Sequence, residues 1–516
     1  MIKKLLWISL LIIFTLLSGC GGGGGGGVTL NTPTTISGGN TQLFSEVPNA
    51  FPDLTYAYKF FNINSQNFAS VVQSFRLDIK GSNQAIFGMA MQKGTDNWQG
   101  KVTDPCQSKI FLFKINNLGN FQDVTDQMIE GTTDLGGCIR KAKRFDINGD
   151  GITDIIFAVN EEDGRSAAMG STFIAQMAAL VSLPNGRYSI VKFGDLNWYH
   201  SIGAGVGNDG IGFVTGAGFY GTSKTGYSFS GNTSATKTNT LPPISPNTFE
   251  FISTGANTST DYLIQTGIYP NIFSIDGYKV QSDGTWKLLN TIQSPFPIIA
   301  YENFVDYTSD TSLNPVADMS GTKVLLGGGY SITESCKIRI FPGDPESVIM
   351  KMELPTIPKY ISGKIIRNEE LVVGNKLIRV QIADDQIKSS PLTIVDEVIF
   401  DGLNGYINFE CFDFNRDGYQ DIVVFRLGKG KGGDQIEYTD SSPFIYLNQK
   451  DGTFKRIATE LIPAMLPIHY TDLLTTIIGD FNGDGMNDVI LFPSNPGGSV
   501  LGSNINGDVK FFKGNK

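Results

Sequence analysis

Three short segments of the chain place oxygen-bearing side chains at one fixed spacing. They are Asp146, Asn148, Asp150 and Asp154; Asp413, Asn415, Asp417 and Asp421; and Asp480, Asn482, Asp484 and Asp488. Each reads D-x-N-x-D-G-x-x-D and then enters a run of Ile, Val, Leu and Phe, at 155–159, 422–425 and 489–492. A hard cation such as calcium takes roughly 6–8 oxygen ligands at about 2.3–2.6 Å. Side chains at positions 1, 3 and 5 supply such oxygens. Position 7 would add a backbone carbonyl, from Ile152, Tyr419 or Met486, and position 9 a further carboxylate. The glycine at position 6 allows the backbone to turn sharply around one ion. Without a cation, carboxylates gathered this closely repel one another and titrate higher. A turn rich in Asp and Asn that holds no metal is the plainer reading of any single copy. Three copies favour one calcium ion per loop.

The elements that position these loops are strands. An EF-hand would need a bidentate Glu at position 12, where this chain has Phe157, Val424 and Leu491. It would also run into a helix, whereas β-branched and aromatic residues follow here, so each loop is expected to close a β-hairpin. Loops of this form resemble the FG-GAP and VCBS repeats, which are similar to the calcium-binding blades of the integrin α-subunit propeller. The resemblance implies an all-β fold, a β-propeller of four-stranded blades with calcium in the hairpin loops. Weaker copies keep the strand–turn–strand rhythm without the carboxylates, before residues 211–214, 323–326, 85–88 and 262–264. Outer hairpins are expected at 109–121, 278–286 and 444–454, where Asp-Gly and Asn-x-Gly sequences suit tight turns. Inner strand pairs near residues 75, 141, 200, 251, 314, 407 and 475 give seven units. The stretch 345–400 is longer than one blade needs and reads as an insertion or a further unit. The last unit lacks a fourth strand, and the aromatic stretch 54–61 is expected to supply it and close the ring.

Composition agrees with strands. Of 516 residues, 61 are Gly, 35 Phe and 18 Tyr, which suits many short strands joined by turns. The net charge of −10, with no basic stripe, argues against nucleic acid as a partner, because phosphates would require clustered Lys and Arg.

The N-terminus carries a basic start, Lys3 and Lys4, an apolar run over 5–17, and then Leu17-Ser18-Gly19-Cys20. This matches a signal peptide over 1–19 and resembles the bacterial lipobox, which implies that Cys20 is lipidated. Seven glycines at 21–27 open a flexible tether over 20–45, leaving 46–516 as the propeller. The resemblance implies a lipid-anchored protein of the cell envelope; Gly21 in place of Asp favours the outer membrane by the enterobacterial sorting rule. Four cysteines remain in an oxidising compartment, Cys106, Cys138, Cys336 and Cys411. The first two are near neighbours in sequence and are expected to pair, leaving Cys336 with Cys411.

Catalytic motifs are sparse. The two histidines, His200 and His469, have no metal-binding context, and no G-x-S-x-G elbow, P-loop or dinucleotide fingerprint occurs. The leading expectation is a calcium-stabilised scaffold binding protein or glycan. The alternative is a polysaccharide-degrading or -modifying enzyme on the same propeller, which fold-level resemblance alone would suggest.

Overall fold

The β-branched run after each acidic loop is apolar on both faces, as a strand packed between two neighbouring sheets must be. The structure, a computed structural model, describes residues 42–52, 69–93, 107–160, 175–293, 331–391, 407–457, 462, 474–493 and 509–515, apart from short breaks within these spans. Cys20, the glycine tether, Cys106, His469 and the stretch 54–61 lie outside the described residues. Among those described, no helix is long and apolar enough to cross a membrane.

Seven antiparallel sheets follow in order. Blade 1 contains Ala69–Asp78, Ala85–Lys93, Gln107–Ile115 and Phe121–Asp123. Blade 2 contains Cys138–Phe145, Asp154–Asn160, Ala175–Ser182 and Tyr188–Asn197, with the short parallel strand Ile129–Glu130 at its edge. Blade 3 runs from Tyr199–Val206 through Gly212–Gly218 and Thr225–Phe229 to Ala235–Thr240. Blade 4 is Phe249–Ser253, Thr260–Thr266, Ser274–Val280 and Trp286–Gln293. Blade 5 is Ser331–Ile338, Ser347–Leu354, Gly374–Ala383 and Gln386–Pro391, and blade 6 is Ile407–Phe412, Asp421–Arg426, Phe444–Asn448 and Phe454–Arg456. Blade 7 takes Leu474–Gly479, Asp488–Pro493 and Lys510–Gly514 from the end of the chain and Phe44–Val47 from its beginning.

Seven apolar clusters tie these sheets into a closed ring, one per seam. Phe75, Leu77 and Ile86 of blade 1 meet Ile155, Phe157 and Leu180 of blade 2. The sequence continues blade by blade to Ile338 and Ile349 against Phe409 and Tyr446, and Val423 and Ile445 against Ile478 and Phe512. The last seam returns to the first blade, with Ile477, Phe481 and Phe511 against Phe87, Phe113 and Phe121. The fold is a seven-bladed β-propeller.

Side chains on the first strands of the blades add polar ties across the seams. Buried Arg76 donates to the Ile478 carbonyl, lies 4.2 Å above the Phe412 ring and sits 3.6 Å from Glu410. Burial first, and then the nearby Arg144 charge, lowers its pKa to about 10. Lys143 bonds Glu250 at 2.6 Å, and Ser335 donates to the same carboxylate oxygen, so blades 2, 4 and 5 share one carboxylate.

Two expectations need correction. The strand that completes blade 7 is Phe44–Val47, which pairs from Phe44 with Gly514 to Val47 with Phe511. It is therefore not 54–61, and Phe44 and Ser45, assigned above to the tether, belong to the folded ring. Phe44 is 1% exposed, and that burial selects this short strand. Second, the inner strand of blade 5 is Ser331–Ile338, not a pair near 314, a region outside the described residues. The long stretch after 345 supplies the other three strands of blade 5 and an inserted hairpin, Lys359–Ile361 with Lys364–Ile366. Part of the same insertion, Glu370–Leu371, joins Lys429–Lys431 and Gln435–Glu437 from blade 6 in a separate small sheet.

Because one four-residue strand closes the ring, Phe44→Ala should cost about 3–5 kcal/mol, in the range of buried Phe truncations. Chemical denaturation of the full chain would measure it, and an unchanged midpoint would mean that the N-terminal strand contributes nothing to closure.

Candidate metal-binding loops at the blade seams

Each acidic loop joins the first strand of a blade to the second. The flanking pairs are Phe145 with Asp154, Phe412 with Asp421 and Gly479 with Asp488. Within the loops the hydrogen bonds repeat position by position. The position-1 carboxylate accepts the N–H of position 6, at 2.9 Å in all three (Gly151 to Asp146, Gly418 to Asp413, Gly485 to Asp480). The position-3 amide oxygen accepts the N–H of position 5, at 3.1, 3.2 and 2.9 Å. Position 5 in turn accepts from position 7, at 2.8, 3.0 and 2.9 Å. The predicted position-7 residues Ile152, Tyr419 and Met486 thus act here through their N–H groups. Glycine at position 6 has φ of 81°, 90° and 89°, the left-handed conformation that the sequence pattern requires.

The position-9 carboxylates take a second set of hydrogen bonds. Asp154, Asp421 and Asp488 are fully buried and clasp the hairpin to its surroundings. One oxygen of each accepts the N–H of position 2, at 2.8, 2.8 and 2.9 Å. The other reaches the third strand of the blade or its end, at Ser182 N, Asn448 N or Gly514 N. Desolvation raises their pKa, to about 6 for Asp154 and Asp421 and about 7 for Asp488. Backbone N–H groups oppose the rise, and the neighbouring charges of Asp146, Asp417 and Asp484 respectively add to it.

Position 5 distinguishes the loops. Asp150 accepts from the Ser182 hydroxyl at 2.8 Å. Asp417 instead faces Lys450, and Asp484 faces Lys513, each at 3.1 Å. At both of the latter, burial works against the charge. The Lys450 ammonium with the Tyr419 and Asn415 donors, and the Met486 N–H with the Lys513 ammonium, outweigh it and hold the carboxyls below their ordinary value.

A feature the sequence reading passed over is position 2. It is apolar in all three loops, Ile147, Phe414 and Phe481, and each side chain enters the seam toward the next blade. Its backbone carbonyl faces that blade as well. Asn487 donates to the Phe414 carbonyl at 2.6 Å, and Gln84 to the Phe481 carbonyl at 2.9 Å. At the first loop, Gly212 lies so close to the Ile147 carbonyl that a Cβ would come within 2.5 Å. Arg416, at position 4 of the second loop, bonds Asp480 of the third at 3.1 Å. The repeated x in the motif, apolar each time, was the available signal.

The donor set suits a hard cation. The oxygens at positions 1, 3 and 5 are carboxylate or amide, and those that take one loop N–H keep a second lone pair. Among the described residues, no three His, Cys, Asp or Glu side chains stand together as a metal-binding group. In these loops position 9 is turned onto backbone N–H groups and position 5 onto Ser182, Lys450 or Lys513.

Cys336 and Cys411 are bridged, Cα to Cα 5.8 Å, and link the first strands of blades 5 and 6. Cys138 is also in a disulfide.

The buried position-9 carboxylates set a pH dependence in chelator-treated protein. Their folded pKa values lie above the ordinary 3.8, so the folded state holds extra protons in the intervening range. Their stabilising contribution is complete below about pH 4 and is lost as pH rises through 6 to 7. The melting temperature should therefore fall over that window, and Asp488→Asn should flatten the slope. A melting temperature that rises steadily from pH 4 to 7 in both proteins would contradict this assignment.

Residues 413–491 match the family described as FG-GAP-like repeat, which spans the second and third loops. No curated protein sequence matches the chain. Among solved structures, the periplasmic gluconolactonase of Pseudomonas aeruginosa is similar, at 9% identity and a TM-score of 0.31, over 72% of this chain and 81% of that one. A likeness that distant carries no argument about activity. The chain is thus a seven-bladed β-propeller that carries an FG-GAP-like repeat across its sixth and seventh blades.

Proposed function

We propose that this propeller is a calcium-stabilised binding scaffold of the cell envelope, anchored in the outer membrane through a lipid on Cys20 and presenting its loops to a protein or glycan. The observation that carries the calcium reading is the repetition of one hydrogen-bonded, oxygen-only loop at three blade seams. A bound calcium ion would supply the positive charge that balances the carboxylates of each loop. Asp146, Asn148 and Asp150, Asp413, Asn415 and Asp417, and Asp480, Asn482 and Asp484 would hold it. The position-9 carboxylates and the apolar position-2 side chains fix each loop to its own blade and to the next. Stiffening a loop therefore stiffens a seam, which is what a rigid display surface requires.

The three loops should not bind equally. Loop 1 presents Asp150 beside a neutral hydroxyl, whereas Lys450 and Lys513 already neutralise position 5 in loops 2 and 3. A cation entering either of the latter must displace an ammonium. Calcium should therefore fill the first loop at the lowest concentration.

Calorimetric titration of the chelator-treated full chain, with melting temperature followed in parallel, tests both points. Binding in a tight and a weaker class with a rise in melting temperature is expected, because a ligand selective for the native state stabilises it by about 2.7 kcal/mol at 100 times its Kd. Lys450→Met with Lys513→Met should strengthen the weaker class and leave the tight one unchanged. Absence of binding up to millimolar calcium would reduce the loops to hydrogen-bonded turns.

A further inference from the structure

We propose that a cavity beside the third loop, between blades 7 and 1, binds a carboxylate-bearing sugar of the hexuronate class. This goes beyond the calcium reading and needs no metal. The cavity holds about 590 Å³, within the range of small-molecule sites. It is lined by Lys114, Ile115, Asn116 and Gly119 of the first outer hairpin and by Asn482 and Asp484 of the loop, with Lys513.

Charge selects an acid. The ionisable groups lining the cavity are Lys114, Lys513 and Asp484, a net of +1 in a chain whose total is −10. Lys513 and Asp484 neutralise each other at 3.1 Å, and Lys114 has no ion-pair partner among the described residues. An anion entering the cavity meets that ammonium.

Amides select hydroxyls. Gln84 spends its N–H₂ group on the Ile115 and Phe481 carbonyls, which leaves its oxygen to accept. Asn116 spends its oxygen on the N–H groups of Leu118 and Asn120, which leaves its N–H₂ group to donate. A donor and an acceptor held in orientation by the fold therefore line the cavity, and Gln122 and Gln127 add exposed amides to its lining. A sugar hydroxyl both donates and accepts, so neighbouring hydroxyls can answer both. No aromatic side chain lines the cavity, so a stacking ligand such as a nucleobase is not favoured. One carboxylate among several hydroxyls is the hexuronate pattern.

Isothermal titration of the full chain with galacturonate, trigalacturonate, glucose and acetate tests this. Binding of galacturonate, trigalacturonate or both, with glucose and acetate at least ten-fold weaker, supports the proposal, and the ratio of the two acids shows whether a free sugar or a chain residue is held. Lys114→Met keeps the aliphatic stem and should weaken the acid at least ten-fold with unchanged melting temperature. Gln127→Ala, at an exposed lining residue, should weaken it less and serves as the second variant should Lys114→Met lower the melting temperature. Equal binding of glucose or acetate, no binding of either acid, or unchanged affinity in both variants would overturn it.

Discussion

The constraint on which the molecule depends is closure of a ring. Each blade is a twisted sheet of at least four strands with two apolar faces, and neither face can be left to water. Seven sheets arranged radially solve this only if the seventh meets the first, because an open arc would expose two sheet faces and a row of unpaired backbone groups. Ile477, Phe481 and Phe511 against Phe87, Phe113 and Phe121 make that final seam as aromatic as any other. The pairing of Phe44–Val47 with Lys510–Gly514 then prevents it from opening, since the first and last described segments of the ring belong to one sheet. Asn515 N bonding to Leu43 O extends the tie by one residue at each end.

The acidic loops belong to the same problem. A hairpin end at a blade surface has free backbone N–H groups, and each of these loops covers its own with carboxylates. The position-9 residue does more, because its burial forces a choice between two costs. Left charged, Asp488 is desolvated; protonated, it loses acceptor capacity toward Phe481 N, Asn482 N and Gly514 N. Desolvation outweighs the backbone donors, which places its pKa at about 7, inside the range where conditions outside the protein decide its charge. Meanwhile position 2 carries the loop into the neighbouring seam. The motif thus couples the electrostatics of a surface turn to the packing between blades.

Much of this was legible in the sequence, and the misses have physical causes. The loops could be read because their residues are consecutive and their types are demanded by oxygen chemistry and a left-handed glycine. The blade number followed from the strand–turn rhythm, which survives even where the carboxylates are absent. Phe44–Val47 was not legible as the closing strand, since only Phe44 of its four residues is buried and a longer aromatic stretch at 54–61 competes with it. The inner strand of blade 5 was misplaced because an irregular spacing of units offers no local marker. Arg76, with its partners Glu410, Phe412 and Ile478, joins residues about as far apart as the ring permits, and nothing in its neighbourhood in the sequence announces them. The cavity beside the third loop is of the same kind, lined by eight residues of 84–127 and three of 482–513.

Position 4 shows how these levels interact. Gly149 and Gly483 occupy it with φ of 74° and 76°, but the second loop has Arg416 at 59°. A branched or long side chain in that conformation carries a penalty of about 1 kcal/mol or more relative to glycine. Its guanidinium reaches Asp480, position 1 of the third loop, which is 3% exposed at the side chain. A charge-assisted hydrogen bond to a carboxylate so buried is worth about 1.5–3 kcal/mol, enough to offset the backbone strain. Neither cost nor gain is visible within the second loop alone. The local rule that favours glycine is broken where a neighbouring blade supplies the compensation, so the departure from the repeat is itself a record of how loops 2 and 3 are joined.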